Sequence, residues 1–251
     1  MSLTQDIKDV IEMLKSTDIN GCITGSSMLD EDFDTWDQAP DVDVFVYNEM
    51  QLLHASDMLM YKHGFKLLSA GEEWKFDRVC NRGAQNNAAL TTMKLVNDKG
   101  VVVNITYKKW KNNIMAVLAS FDMSCIMIGY DIPFGWGIDM RTRDIKVFDD
   151  KYDRWSDDPK VSKPNPMRKQ DADMYGVEMW VRQYDRVIKY WNRGIDTRPM
   201  AEFYIDLING VIAKGRLFDS AKSEESYNGF VSTYEPLRDK MVEWLKDKED
   251  C

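Results

Sequence analysis

Between Asp41 and Val46 the chain reads DVDVFV. A stretch that alternates in this way reads as a β-strand, because successive side chains of a strand point to opposite faces. Asp41 and Asp43 then stand on one side, close enough to share a cation, and hard divalent cations such as Mg2+ take carboxylate oxygens. Upstream, a short apolar strand at residues 22–24 runs into Gly25-Ser26-Ser27. Gly25 permits a tight turn beside a ligand. Amides and hydroxyls of Gly25, Ser26 and Ser27, at the start of a short helix, suit phosphate oxygens. The bland alternative makes Asp41-x-Asp43 the polar edge of a strand that follows Pro40.

This pairing of Gly25-Ser26 with Asp41-x-Asp43, fourteen residues separating Ser26 from Asp41, resembles the signature of the nucleotidyltransferase superfamily with the DNA polymerase beta fold. A second stretch extends the resemblance. FDMSCIMIGYD, residues 121–131, looks like the FDxDxCxVxYD stretch of uncharacterised viral, phage and fungal nucleotidyltransferase-like proteins. It is more distantly similar to the RRDFTINALAYD stretch of poly(A) polymerases and CCA-adding enzymes. Asp122 aligns with the first Asp of both, at the head of what reads as a long apolar strand. Ser120, Phe121 and Ile126 replace the two Arg and the Asn of the latter motif, so base and sugar selection do not carry over. A third segment, Arg186-x-x-Lys189-Tyr190-x-x-Arg193-Gly194, is similar to one found downstream in the same viral and fungal proteins.

The resemblance implies metal-dependent nucleotidyl transfer. Asp41, Asp43 and Asp122 would be the catalytic carboxylates and hold Mg2+ or Mn2+. Gly25, Ser26 and Ser27 would take the phosphates of ATP or another nucleoside triphosphate. An RNA 3′ end is the first expectation for the acceptor, with a protein or small-molecule hydroxyl as the alternative. Asn104 bears on this directly. A strand of the CCA-adding enzymes with a similar pattern carries an acid where this chain has an amide. If that position supplied the third ligand, the site would be weak or inactive, which keeps a degenerate nucleotide-binding protein as a further reading. Asp122 is the expected third carboxylate; the alternative is a capping residue at a strand start.

Arg186, Lys189 and Arg193, at i, i+3 and i+7, share one face of an expected helix. They contact nucleotide phosphates or an RNA strand, or they form a solvated basic face paired with Asp185 or Glu178. Arg141 and Arg143 contact phosphate or face water. The acidic stretch 29–40 fails the EF-hand pattern and reads as a solvated loop.

The two histidines, His54 and His63, fall on different faces of one expected helix, so chemistry based on a His triad or a His-rich zinc centre is not expected. The four cysteines have no CxxC spacing and read as free thiols. The net charge of −9 argues against a general nucleic-acid coat protein, whose binding is driven by Lys and Arg. No apolar run reaches membrane-spanning length, and the expected location is the cytoplasm, that of the host if the chain is viral.

The periodicity predicts an α+β fold, a small mixed sheet with helices followed by a helical C-terminal region. Residues 1–150 are the expected catalytic domain, 151–167 a linker or covering loop, and 168–251 the helical region. Helices are expected at 3–16, 48–63, 112–119, 169–192, 199–217 and 234–248. Strands are expected at 21–24, 41–46, 65–70, 90–96 and 101–107, with a hairpin turn at 97–100 and a strand pair within 132–150. Met50, Leu53, Met58, Leu59 and Tyr61 are the candidate core positions of the second helix.

Overall fold

The alternation of DVDVFV decides the centre of the fold. In the computed structural model it forms β2 (Asp41–Val46), with Val42, Val44 and Val46 buried and Asp41, Asp43 and Phe45 partly exposed. A one-residue slip in register would bury the aspartates and expose the valines. At about 1.5 kcal/mol or more per buried valine, exposing the three costs about 4.5 kcal/mol or more before any carboxylate is desolvated. The structure describes residues 3–29, 41–72, 90–109, 111–121, 123–141, 146–148, 162–164, 184–214 and 224–249.

Around β2 stand β1 (Gly21–Thr24), β3 (Lys66–Glu72), β4 (Leu90–Val96), β5 (Val102–Lys108), β6 (Ile128–Asp131), β7 (Trp136–Asp139) and β8 (Lys146–Phe148). They form one mixed sheet in the order β3-β4-β5-β2-β1-β6-β7-β8. The β2–β5 pair is parallel and every other neighbouring pair is antiparallel. A parallel pair needs a crossover. Here α2 (Glu49–His63) and the β3–β4 hairpin make it, with α2 packed on β2, β4 and β5.

Local chemistry sets most boundaries. Asn48 caps α2 by accepting from the Gln51 amide, and Gly64 ends it at φ 71°. Asn97 accepts from the Lys99 and Val101 amides and closes the β4–β5 turn, with Gly100 at φ 83°. Asn113 caps the short α3 (Ile114–Leu118) in the same way.

One face of the sheet carries the main core. Ile23, Val44 and Ile105 meet α1 (Leu3–Lys15) through Ile7, Ile11 and Leu14, and α2 through Ala55 and Leu59. The same buried cluster takes in Val187 and Tyr190 of α4 (Tyr184–Trp191), Tyr204 and Ile208 of α5 (Arg198–Lys214), and Met241 of α6 (Glu224–Glu249). A smaller cluster on the other face joins Cys22 to Val117 and Leu118 of α3 and to Ile138. Cys22 and Cys125 are buried free thiols. The result is an α+β fold with six helices and eight strands among the described residues, none of the helices long and apolar enough to cross a membrane.

Several expectations change. Met50, Leu53 and Tyr61 are exposed, at 75%, 55% and 85%, whereas Leu52, Ala55, Ser56, Met58 and Leu59 are buried. Apolar side chains occupy both faces of α2, so periodicity does not select one. The small Ala55 and Ser56 let the helix lie close to the sheet. The expected long strand after Asp122 is a 3-10 turn over Ser124–Ile126, and β6 begins only at Ile128. The last helix starts ten residues before the expected Tyr234 and runs through Pro236. An internal proline costs about 3 kcal/mol, which burial of Tyr234 and Met241 in the main core offsets. Of the expected helix 169–192, residues 184–192 lie among the described residues, and Tyr184–Trp191 are helical.

Within the expected linker or covering loop, residues 162–164 are tied to the body. The Ser162 amide donates to the Asp196 carbonyl at 2.8 Å, and Ser124 and Lys163 exchange hydrogen bonds. Arg141 neither faces water nor reaches a phosphate site. Its guanidinium is buried and grips Asp139 through two bonds of 2.9 and 2.8 Å.

Candidate active site

β1 ends at Thr24, and the chain turns away through Gly25, at φ 78°, into a 3-10 turn over Gly25–Met28. Any other residue at 25 is strained by that backbone angle. Its Cβ would also run into the Asp43 carboxylate. Gly25 is therefore required twice, by the turn and by the acid beside it.

Thr24 pairs with Asp43 across β1–β2, and Asp43 pairs with Asn104 across β2–β5. Asn104 thus stands beside the two aspartates, at their level in the sheet. Its Nδ2 donates to Asp41 Oδ2 and to Asp43 Oδ1, each at 3.0 Å. Both amide hydrogens are used. Its Oδ1 is buried with no hydrogen-bond partner, a condition that costs about 1–3 kcal/mol.

A pocket of about 350 Å³ opens over this group. Gly25, Ser26, Asp41 and Asp43 form its acidic side, and Phe45, Phe121 and Ile126 an apolar wall. Arg186, Lys189 and Tyr190 of α4 complete it. The α4 helix is held there by Val187 and Tyr190 in the core, and by Trp191 packed edge-on against Trp244 at 5.4 Å.

Charges in this pocket shift one another. Burial pushes the Asp43 carboxyl up, the Asn104 hydrogen bond opposes that, and neighbouring Asp41 adds to it. Lys189 and Arg186 pull Asp43 back towards the ionised form. Burial also lowers Lys189, helped by Arg193, while Asp43 and Asp41 favour its charged form. Burial pushes the Tyr190 phenol up to about 12, so Tyr190 is neutral at physiological pH.

The structure therefore brings together Gly25, Ser26, Asp41, Asp43, Arg186 and Lys189 around one cavity. Ser27 does not line it: its hydroxyl donates to the Thr24 carbonyl at 3.1 Å and the residue is fully buried. Arg193 does not line it either. The helix ends at Trp191 and the chain turns through Gly194 at φ 78°, so the expected common face stops before position 193. Arg193 is buried, with its guanidinium 5.6 Å from the centre of the Tyr190 ring. Asp122, Arg143 and Glu178 lie outside the described residues.

The aromatic wall was not anticipated from the sequence. Phe45 was accessible to that reasoning, since it shares the strand face of Asp41 and Asp43. Phe121 and Tyr190 reach the pocket only through tertiary packing.

Among the described residues no three His, Cys, Asp or Glu side chains converge to hold a metal ion. Asp41 and Asp43 alone offer hard oxygen donors side by side, which suits a single Mg2+ or Mn2+ ion. The side chain beside them, Asn104, presents its Nδ2 to both carboxylates and leaves Oδ1 unpaired. These residues fit one divalent cation.

No family model matches the sequence, and no curated protein matches it either.

Proposed function

We propose that the pocket binds a nucleoside triphosphate, and that the protein is a nucleotidyltransferase of the DNA polymerase beta-like superfamily. In this reading a nucleoside monophosphate passes to an acceptor hydroxyl. The acceptor hydroxyl gives its proton to solvent as its oxygen bonds to the α-phosphorus, the bond from that phosphorus to the bridging oxygen breaks, and pyrophosphate leaves with the electron pair. The observation that carries the reading is one juxtaposition. The acidic pair on β2, the Gly25-Ser26 turn, and Arg186 with Lys189 of α4 all line one cavity.

Each group has a role that its chemistry supports. Gly25 and Ser26 admit a phosphate close to the backbone, because no Cβ stands at position 25. Arg186 and Lys189 balance the triphosphate charge from the opposite wall. Phe121 and Tyr190 offer apolar faces to a base. Asp41 and Asp43 would hold Mg2+ or Mn2+, which when bound supplies charge neutralisation at the phosphates and lowers the pKa of the attacking hydroxyl. An RNA 3′ end is the proposed acceptor, and a protein or small-molecule hydroxyl the alternative. In the fold, the parallel β2–β5 pair beside an antiparallel β1, with Gly-Ser at the end of β1, supports the superfamily assignment.

The test is transfer of α-labelled ATP, GTP, CTP and UTP, with Mg2+ or Mn2+, onto RNA, DNA and lysate protein. Label that appears on one acceptor class and is lost in Asp43→Ala supports the reading. Label that persists in that variant overturns it.

A second reading, a nucleotide-binding protein without turnover, is favoured by Asn104 in register with Asp43. It predicts saturable binding of a triphosphate and no label on any acceptor.

A further inference from the structure

The Asn104 amide is used on one side only. Its nitrogen serves both carboxylates, while Oδ1 is buried and unpaired. An amide rotated by 180° about Cβ–Cγ exchanges oxygen and nitrogen within nearly the same volume. Rotation at Asn104 would turn Oδ1 towards the gap between Asp41 Oδ2 and Asp43 Oδ1. Nδ2 would move to where Oδ1 now has no bond to lose. With no cation between the carboxylates, three oxygens would then converge and repel, so the donating orientation holds. With a divalent cation there, an N–H facing it is repelled and a carbonyl oxygen is attracted.

We propose that Asn104 is a reversible third ligand: it donates to Asp41 and Asp43 in the cation-free site and turns its oxygen onto a divalent cation in the loaded one. This deepens the nucleotidyltransferase reading and rests on it. The charges that face the group agree with a neutral ligand. Two carboxylates match one divalent ion, and Arg186 and Lys189 line the same pocket, where their charge suits an anion such as a triphosphate. A carboxylate at 104 would leave one surplus negative charge and hold the ion more tightly. The amide makes the cation weakly held alone and better held together with the triphosphate.

The test is Mn2+ titration of the full chain, followed by the electron paramagnetic resonance of free Mn2+. Wild type, Asn104→Ala and Asn104→Asp are compared, with and without a non-hydrolysable ATP analogue. Wild type is expected to bind one Mn2+, more tightly with the analogue. Asn104→Ala is expected to bind it about tenfold more weakly or worse, and Asn104→Asp more tightly without the analogue. Equal affinity in wild type and Asn104→Ala overturns the proposal. So does binding seen only in Asn104→Asp, which would make the amide a permanent donor in place of the ion.

A measurement on wild type alone guards against an unfolded variant. The two Nδ2 proton resonances of Asn104 should move on saturation with Mg2+, and no movement overturns the proposal. Mn2+ bound as predicted while the ATP analogue fails to bind any protein would leave the Asn104 ligand standing and remove the nucleotide reading.

Discussion

Substituting Gly25 by alanine tests the geometry that joins the β1 turn to the acidic pair. Two costs combine in the Gly25→Ala protein. The backbone sits at φ 78°, where a side chain costs about 1–2 kcal/mol. The added Cβ also displaces the Asp43 carboxylate, and with it the 3.0 Å bond from Asn104, a hydrogen bond to a charged group worth about 1.5–3 kcal/mol. Together the loss is about 2.5–5 kcal/mol. Only the second cost depends on Asp43. In an Asp43→Ala background the closest Asp43 atom that remains is Cβ, at 3.4 Å from the added Cβ, an ordinary contact. Urea unfolding of the wild type, both single variants and the double variant therefore closes a cycle. Gly25→Ala should cost about 1–2 kcal/mol with Asp43 truncated and about 1.5–3 kcal/mol more with it intact. Additive losses, within about 0.5 kcal/mol, would refute the claim that the glycine is there to seat the carboxylate.

Three other outcomes are expected. Burial raises the Asp43 carboxyl in the folded chain, so the native state holds its proton more firmly than the unfolded chain. Ionisation of Asp43 therefore erodes stability as pH rises from the ordinary carboxyl value of 3.8 through the raised folded value. Asp43→Asn should then melt higher than wild type at neutral pH, with the gap closing below about pH 4; a lower melting temperature at neutral pH would contradict this. Asp139→Ala removes the carboxylate that the buried Arg141 guanidinium grips and should lower stability by about 1.5–3 kcal/mol in urea unfolding. A loss under about 1 kcal/mol would mean that the pair is effectively solvated. Lys189→Ala, which removes a pocket cation without touching the sheet, should weaken binding of a Mg2+-bound ATP analogue about tenfold by calorimetry; unchanged affinity would place the triphosphate elsewhere.

Much of the frame could be read along the chain. The alternation in DVDVFV determines both a strand and the common face of Asp41 and Asp43, because the strand period of two acts within six residues. Asn48 with Gly64, and Asn97 with Gly100, mark element ends through bonds that reach only a few residues. Gly25 announces the turn at the end of β1, since few other residues tolerate a positive φ.

Other features required distant parts of the chain to meet. The buried face of α2 was chosen by the sheet beneath it, not by its own pattern, which is apolar on both sides. Arg141, expected to contact phosphate or face water, instead grips Asp139 in the interior. Ser27, expected at the phosphates, instead donates its hydroxyl to the Thr24 carbonyl. The neighbour of Asp43 is the clearest case. Asn104 lies 61 residues further along and reaches Asp43 only because β2 and β5 pair in parallel after a crossover through α2 and a hairpin. A strand's own pattern fixes which face a side chain takes, but pairing register across a long connection is set by the packed core. The carboxylates, Asn104 and the basic run from Arg186 were thus legible as candidates in the sequence, whereas the bonds from Asn104 to both acids, and the placing of Arg186 and Lys189 in the same pocket, were decided by tertiary packing.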